Sequence, residues 1–187
     1  MVELVKYINR FQKLDSETEL AIKNSFVEET YRKDDYIVEA GKVCTKVFFI
    51  KSGFVRRFFI HNSKDVTIWF YGSNQMSTSM PSFFEQKPAY EYLQACEDTV
   101  AYSLSYKNEQ LLLEYPLFAK FHIKLLRYYL AGIDEVNYRL KLMTAKEKYM
   151  FLLTFFPEIV QKAKLKHIAS FLDVSRETLS RIRASII

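Results

Sequence analysis

Residues 165–183 read LKHIASFLDVSRETLSRIR, which has the spacing of two short helices joined by a tight turn. Ala169 is small enough to let the two helices cross closely. Asp173 lies at the turn, where the chain needs a left-handed residue that Asp tolerates. Ser175 carries a hydroxyl that can cap the second helix. The inward face would be formed by Ile168, Leu172, Val174, Leu179 and Ile182. This pattern predicts a helix-turn-helix.

The second helix of this pattern has a polar face near its N-terminal end. In a helix-turn-helix that end enters the DNA major groove, where Arg can bond guanine O6 and N7 and Glu can accept from cytosine N4. Two lysines at the start of the first helix would meet phosphates. The predicted DNA-binding residues are Ser175, Arg176, Glu177, Ser180, Arg181, Arg183, Lys164 and Lys166. The alternative is a solvated charged face on an ordinary helical hairpin.

The net charge of +5 is distributed unevenly along the 187 residues. From Tyr138 to the end there are ten Lys or Arg against four Asp or Glu, whereas the first 137 residues carry 17 basic and 18 acidic side chains. A basic segment attached to a near-neutral one favours a polyanionic partner such as nucleic acid.

The residues that catalysis or metal binding would need are scattered. His61, His122 and His167 lie far apart in the sequence, and Cys44 and Cys96 form no Cys-x-x-Cys pair. The sequence shows no nucleophile–base pair, no phosphate-binding loop and no dinucleotide fingerprint. We therefore expect neither an enzyme nor a metal or cofactor.

Two features bear on the compartment. The N-terminus, MVELVKYINRFQKLDSE, contains charged residues throughout and lacks the apolar stretch of a signal peptide. No run approaches the ~18 apolar residues that a membrane span needs. The sequence predicts a cytoplasmic protein without a membrane partner.

The first half of the chain predicts a short helical segment followed by a β-structure. Residues 4–29 have helical spacing, and from Tyr36 short β-branched and aromatic runs follow, several ending at a Gly or a polar turn. Gly41, Gly53 and Gly72 each fall at a predicted strand end, where glycine permits positive φ. Six to eight such strands predict an antiparallel sandwich or β-roll of about 70 residues, and the fold class is α+β with the β-roll preferred.

Pro116 separates a short predicted helix from a long one that starts near Leu117. The long helix carries apolar residues at 3-4 spacing, which suits packing of two helices along their length. The predicted dimerisation residues are Leu126, Tyr129, Ile133, Val136 and Leu140, and Met143 continues the second seam. A plain core-packing helix is the alternative.

Thr144 and Glu147 form a capping box that starts a further helix, which Pro157 closes. The predicted domains are therefore residues 1–115, which contain the β-structure, residues 116–143, a dimerisation helix, and residues 144–187, a helix-turn-helix domain.

Residues 175–183, SRETLSRIR, following IASFL, resemble the recognition helix of the Crp/Fnr family of bacterial regulators. YIVEAGKVCTKVFFIKSGFVRRFF resembles that family's β-roll opening, and TAKEKYMFLLTFFP resembles the entry to its DNA-binding domain. The resemblance implies a transcription regulator that binds a two-fold symmetric site on double-stranded DNA as a homodimer. It also implies RNA polymerase as a partner and a small-molecule effector sensed in the β-roll. Glu177, Ser180 and Arg181 match base-reading positions of the family, and Arg176 matches one found in its cyclic-AMP-binding branch.

The sequence also departs from that family. The cyclic-nucleotide branch holds the cyclic phosphate with an Arg-Ser or Arg-Thr pair, but between Phe70 and Leu93 the only basic residue is Lys87. A buried phosphate without an arginine would be poorly compensated, so we expect no cyclic AMP binding. The cysteines of the oxygen-sensing branch are absent, and the 157–164 linker is too short for a full β-hairpin wing. A signalling module that acts through protein contacts remains the alternative function.

Overall fold

Two antiparallel four-stranded sheets face each other in the N-terminal part of the chain, in a computed structural model that describes residues 1–186. The strands are β1 (Val27–Tyr31), β2 (Tyr36–Val38), β3 (Lys46–Ser52), β4 (Val55–His61), β5 (Lys64–Tyr71), β6 (Gln75–Ser77), β7 (Tyr92–Ala95) and β8 (Thr99–Ser105). The sheet orders are β1-β8-β3-β6 and β2-β7-β4-β5. Apolar side chains fill the space between the sheets, among them Phe48, Ile50 and Leu93. The predicted α+β class with an antiparallel β-roll is confirmed.

Helices precede, interrupt and follow the β-roll. They are α1 (Val2–Phe11), α2 (Ser16–Ser25), α3 (Met80–Glu85), α4 (Tyr106–Leu112), α5 (Pro116–Leu142), α6 (Ala145–Phe155), α7 (Pro157–Lys162), α8 (Leu165–Phe171) and α9 (Arg176–Ala184). None of the helices within residues 1–186 is both long and apolar enough to cross a membrane.

The sequence prediction missed two strands. β1 begins inside the segment that was predicted to be helical, and its residues VEETY are mostly charged or polar. It exists because it pairs with β8 along its whole length, from Val27 opposite Ser103 to Tyr31 opposite Thr99. β6 has only three residues and pairs with β3. Both strands depend on partners distant in sequence, which no local pattern reveals.

Two of the three strand-end glycines behave as predicted. Gly41 and Gly53 have φ of 85° and 111°, a region that disfavours side chains. The prediction is wrong for Gly72, which has no positive φ. A Cβ at Gly72 would instead meet the Glu158 carboxylate of α7, the end of a flexible side chain, so Gly72 lies in close contact with another element.

The predicted helix boundaries in the second half are confirmed. Pro116 is in the first turn of α5, where its missing N–H is tolerated. Thr144 and Glu147 form the reciprocal capping box of α6. Pro157 ends α6 and also starts α7, so the segment after it is helical rather than an open linker.

Candidate nucleic-acid interface

A tight turn joins α8 to α9 and fixes their crossing. Asp173 has φ of 54°, the left-handed conformation predicted for it. The Val174 N–H donates to the Ala169 carbonyl oxygen at 3.0 Å, which closes the turn onto the end of α8. The Ser175 hydroxyl accepts from the Thr178 N–H at 3.0 Å, so the predicted cap of α9 is confirmed.

The inward face of this pair is buried against the two preceding helices. Ile168, Leu172 and Leu179 are each 1% exposed or less, and they pack in one cluster with Leu152 of α6 and Ile159 of α7. Val174 and Ile182, the other two predicted inward residues, are partly buried against the same cluster.

The start of α9 presents polar side chains to solvent. Arg176, Glu177, Ser180 and Arg181 are all exposed, and together with Leu165 of α8 they line a shallow cleft of about 360 Å³. The backbone N–H of Glu177, assisted by the Ser175 hydroxyl, lowers the pKa of the Glu177 carboxyl below its ordinary value. A carboxylate acceptor and two guanidinium donors therefore lie side by side on one face.

The structure separates Arg183 from that group. Arg183 is half-buried and lines a different cleft, with Tyr149 and Leu153 of α6 among its neighbours. Lys164 is the N-cap residue of α8 and, like Lys166, is exposed. The two lysines therefore flank Leu165, at the edge of the first cleft.

The opposite side of α8 is attached to the β-roll. The Thr67 N–H of β5 donates to the Ser170 hydroxyl oxygen at 3.0 Å, and that hydroxyl donates to the Asp65 carbonyl oxygen at 3.1 Å. The Trp69 ring lies 5.2 Å from Phe156 and 5.3 Å from Phe171, measured between centroids. Sequence reasoning did not identify this contact.

A buried arginine lies at the same boundary. Arg56 of β4 is 2% exposed, and its Nη1 is 2.5 Å from Asp65 Oδ1 and 3.2 Å from Thr67 Oγ1. His167 of α8 is 7% exposed beside it. Burial first, and then the Arg56 charge, lowers the pKa of His167 to about 4. His167 is therefore neutral at neutral pH, and the cation beside it is Arg56, which is paired with Asp65. The sequence signal that could have identified Arg56 is its position next to Arg57 in a predicted strand. Neighbouring side chains in a strand point to opposite faces, so one of the two arginines must point inward.

The outer half of α5 carries the predicted dimerisation residues. Ile133 is 49% exposed and Leu130, one turn earlier, is 70% exposed. Leu126, Val136 and Leu140 are half-buried. Tyr129 differs from them, because its hydroxyl accepts from the Met76 N–H of its own β-roll at 2.9 Å.

The interior of the β-roll contains few ionic groups. Arg57 Nη1 and Glu91 Oε1 are 3.9 Å apart, and Arg57 Nε has no hydrogen-bond partner among residues 1–186. The Thr78 hydroxyl donates to the Lys46 carbonyl oxygen at 2.9 Å, and Phe83 is 1% exposed. The segment where a cyclic phosphate would be held thus contains apolar side chains and the internally bonded Thr78 hydroxyl, while the buried Ser77 hydroxyl has no hydrogen-bond partner among residues 1–186.

Comparison with protein families finds a match to the cyclic nucleotide-binding domain over residues 28–114, the β-roll with its flanking α4. No curated protein sequence matched the chain significantly.

Solved structures of similar fold cover nearly the whole chain. The c-di-GMP responsive global regulator CLP of Xanthomonas campestris is 16% identical with a TM-score of 0.68, covering 92% of this chain and 91% of CLP. A CooA mutant from Carboxydothermus hydrogenoformans is 19% identical with a TM-score of 0.70, covering 98% and 83%. A putative Crp/Fnr-family regulator of Eubacterium rectale is 17% identical with a TM-score of 0.68, covering 92% and 83%. The chain thus has the fold of Crp/Fnr-type regulators.

Proposed function

We propose that this protein is a sequence-specific DNA-binding transcription regulator of the Crp/Fnr type. The observation that carries the proposal is the exposed start of α9, where Arg176, Glu177, Ser180 and Arg181 line one cleft. These side chains supply the donors and acceptors that read base edges. The fold shared with Crp/Fnr-type regulators supports it.

In this proposal the two helices of the pair have separate tasks. Glu177 and Arg181 lie four residues apart and so share a face of α9. Arg181 bonds a guanine and Glu177 a cytosine, with Arg176, Ser180 and the Ser175 cap beside them. Lys164 and Lys166 contact phosphates, which contribute affinity without sequence information.

The regulator acts as a homodimer through α5. The exposed apolar stripe at Leu130 and Ile133 supports this, because a contiguous apolar surface of this kind is typical of an interface. In a helix-turn-helix dimer each α9 would occupy one half-site of a symmetric operator, and such half-sites lie about one DNA turn apart. Residues 1–115, 116–143 and 144–187 serve as the sensing, dimerisation and DNA-binding units, and RNA polymerase is the further partner.

The β-roll of this regulator does not bind cyclic AMP or cyclic GMP in this proposal. The packing of Thr78 and Phe83 supports this, as does the absence of an arginine between Phe70 and Leu93. CLP is described as c-di-GMP responsive, so this fold accommodates effectors other than cyclic AMP. Calorimetry with cyclic AMP and cyclic GMP is expected to show no binding, and micromolar affinity for either would contradict the proposal.

The decisive experiment first selects an operator from random duplexes. It then measures the affinity of the protein for variants of that operator. Arg181→Ala should weaken operator binding by roughly 1–3 kcal/mol per half-site and relax specificity at one base pair. Lys166→Ala should weaken all DNA alike and reduce the slope of log affinity against log salt by about one.

Two outcomes would contradict the proposal. If Arg181→Ala lowers affinity equally for every duplex, α9 does not read bases. If the unaltered protein shows no salt-dependent DNA binding at all, a signalling module acting through protein contacts is the better description.

The dimer is tested separately by light scattering. Ile133→Asp places a charge in the apolar stripe and should shift the mass toward one protomer. Ala131→Asp, which adds the same charge at an exposed position on another face of the helix, is the control. A mass of one protomer for the unaltered protein at micromolar concentration would contradict the homodimer.

A further inference from the structure

Three lysines occupy the entry to α8, and two of them are paired with carboxylates of the β-roll. Lys162 Nζ donates to Glu97 Oε1 at 2.7 Å and also lies 3.0 Å from Glu158 Oε1 of its own helix, so Glu97 is one of its two carboxylate partners. Lys164 Nζ lies 3.9 Å from Asp34 Oδ1. The third, Lys166, is exposed. The β-roll therefore meets the α8–α9 pair with opposite charge as well as with apolar surface.

These lysines lie next to the cleft. Leu165, directly after Lys164, lines that cleft with Arg181. Ala163 and Lys164 have extended backbone, with ψ of 143° and 138°. Side chains two residues apart in an extended segment point to the same side, so Lys162 and Lys164 both face the β-roll edge. A duplex seated on the cleft would bring phosphates to that edge.

The two carboxylates belong to turns that are tied to each other. Asp34 lies in the β1–β2 turn with φ of 71°, and its N–H donates to the Ala95 carbonyl oxygen at 2.8 Å. The Lys33 N–H donates to Asp98 Oδ1 at 2.8 Å, which joins the β1–β2 turn to the β7–β8 turn that carries Glu97. The acidic edge, defined as Asp34 and Glu97, is thus held in place by the backbone.

We propose that the acidic edge sets the DNA affinity of this protein by competing with phosphates for Lys162 and Lys164. The inference rests on the proposed function and extends it to β-roll residues. When DNA binds, each lysine exchanges a carboxylate for a phosphate, and the freed carboxylate takes up a cation from solution. Fewer ions are then released in total, so affinity and its salt dependence are both reduced. The carboxylates also repel the phosphates directly.

The competition carries no sequence information, because Asp34 and Glu97 act through phosphate-binding lysines and not through bases. It therefore lowers binding to operator and to random DNA by the same factor. It also gives the β-roll a means of regulation, since any movement of the two tied turns changes how firmly the lysines are held.

The test compares two double variants with the same change in net charge. Asp34→Asn/Glu97→Gln removes the acidic edge. Glu28→Gln/Glu39→Gln removes two carboxylates that pair with Lys51 and Lys42, outside the 162–166 segment. Fluorescence anisotropy measures affinity for the selected operator and for a random duplex of the same length at several salt concentrations. Circular dichroism melting checks that both variants fold.

Asp34→Asn/Glu97→Gln should bind both duplexes about three- to tenfold more tightly at low salt, a range set by the modest strength of exposed ion pairs. Its salt slope should be steeper by about one to two, and the ratio of operator to random affinity should not change. The control variant should change affinity less than about twofold at the same salt. Lys164→Ala should also weaken binding more in an Asp34→Asn background than in the unaltered protein, because Lys164 is then unpaired.

Equal affinities and slopes for the unaltered protein and Asp34→Asn/Glu97→Gln would overturn this inference and leave the proposed function intact. The same gain in the control variant would also overturn it, since net charge alone would then be responsible. Absence of salt-dependent DNA binding in the unaltered protein and in every variant would overturn the proposed function together with the inference.

Discussion

The two helices α8 and α9 are neighbours of similar length that face different surroundings. α8, with seven residues, buries His167, Ile168 and Ala169 between the β-roll and α9. α9, with nine residues, fully buries only Leu179 and leaves its starting turn in solvent. α8 is therefore the element that positions the pair, and α9 is the element free to bind a ligand.

This difference in burial indicates that α8 mainly stabilises the fold, whereas the exposed face of α9 is available for binding. Substitutions of the buried residues of α8 should act mainly on folding, because those side chains are enclosed between the β-roll and α9. Substitutions on the exposed face of α9 should act mainly on binding, because they touch little within the protein. Four measurements test this division between buried residues that stabilise the fold and exposed residues that bind.

The largest effect is expected at Ile168. Ile168→Ala should lower the free energy of unfolding by about 2–5 kcal/mol, since Ile168 is 1% exposed and its removal leaves a cavity. Ile182→Ala, the same change in the half-buried part of α9, should lower it by clearly less. Urea denaturation measures both, and equal losses would show that α8 is no more enclosed than α9.

His167 should make stability depend on pH. Its pKa is lowered from 6.5 to about 4 by burial and by Arg56, so the unfolded state binds the proton more readily. The stabilising contribution is complete above pH 6.5 and is lost as the pH falls toward 4, by about 3 kcal/mol in total.

His167→Gln should flatten this part of the pH profile, and His61→Gln, at an exposed histidine, is the matched control. Unfolding free energies measured between pH 7 and pH 4 provide the comparison. Parallel profiles for the unaltered protein and His167→Gln would mean that α8 is more open to solvent than the structure shows.

Ser170 should have an intermediate effect. Ser170→Ala removes the acceptor of the buried Thr67 N–H and should lower the free energy of unfolding by about 1–3 kcal/mol. Ser180→Ala on the exposed face of α9 should stay within about 0.5 kcal/mol. The fluorescence of Trp69, the single tryptophan, reports the same contact, because its ring packs against Phe171. An unchanged Trp69 spectrum in Ser170→Ala, together with full stability, would show that Ser170 does not stabilise the contact between α8 and the β-roll.

The smallest effect is expected at the cap of α9. Ser175→Ala removes the acceptor of the Thr178 N–H and should lower the free energy of unfolding by about 1 kcal/mol. Ser175→Asp keeps an acceptor there and should retain most of the stability. Thermal unfolding measures both variants, and equal losses would indicate that the hydroxyl does not cap the helix in solution.

Much of the local structure could be predicted from sequence alone. The turn at Asp173, the cap at Ser175, the Thr144 capping box and the helix start at Pro116 all depend on residues within one or two turns of each other. Such features follow from backbone sterics and local hydrogen bonds, so the residues that determine them lie close together in the sequence. The polar face of α9 belongs to the same class, because helical periodicity alone groups Glu177 with Arg181.

The tertiary structure alone decided how the parts meet. The Ser170 hydroxyl accepts from the Thr67 N–H across 103 positions of sequence, and Lys164 lies 3.9 Å from Asp34 of the β1–β2 turn. β1 became a strand and Gly72 became a close contact for the same reason. Each depends on a partner brought close by the packing of whole elements, and burial, charge pairing and the lowered pKa of His167 arise only from that packing.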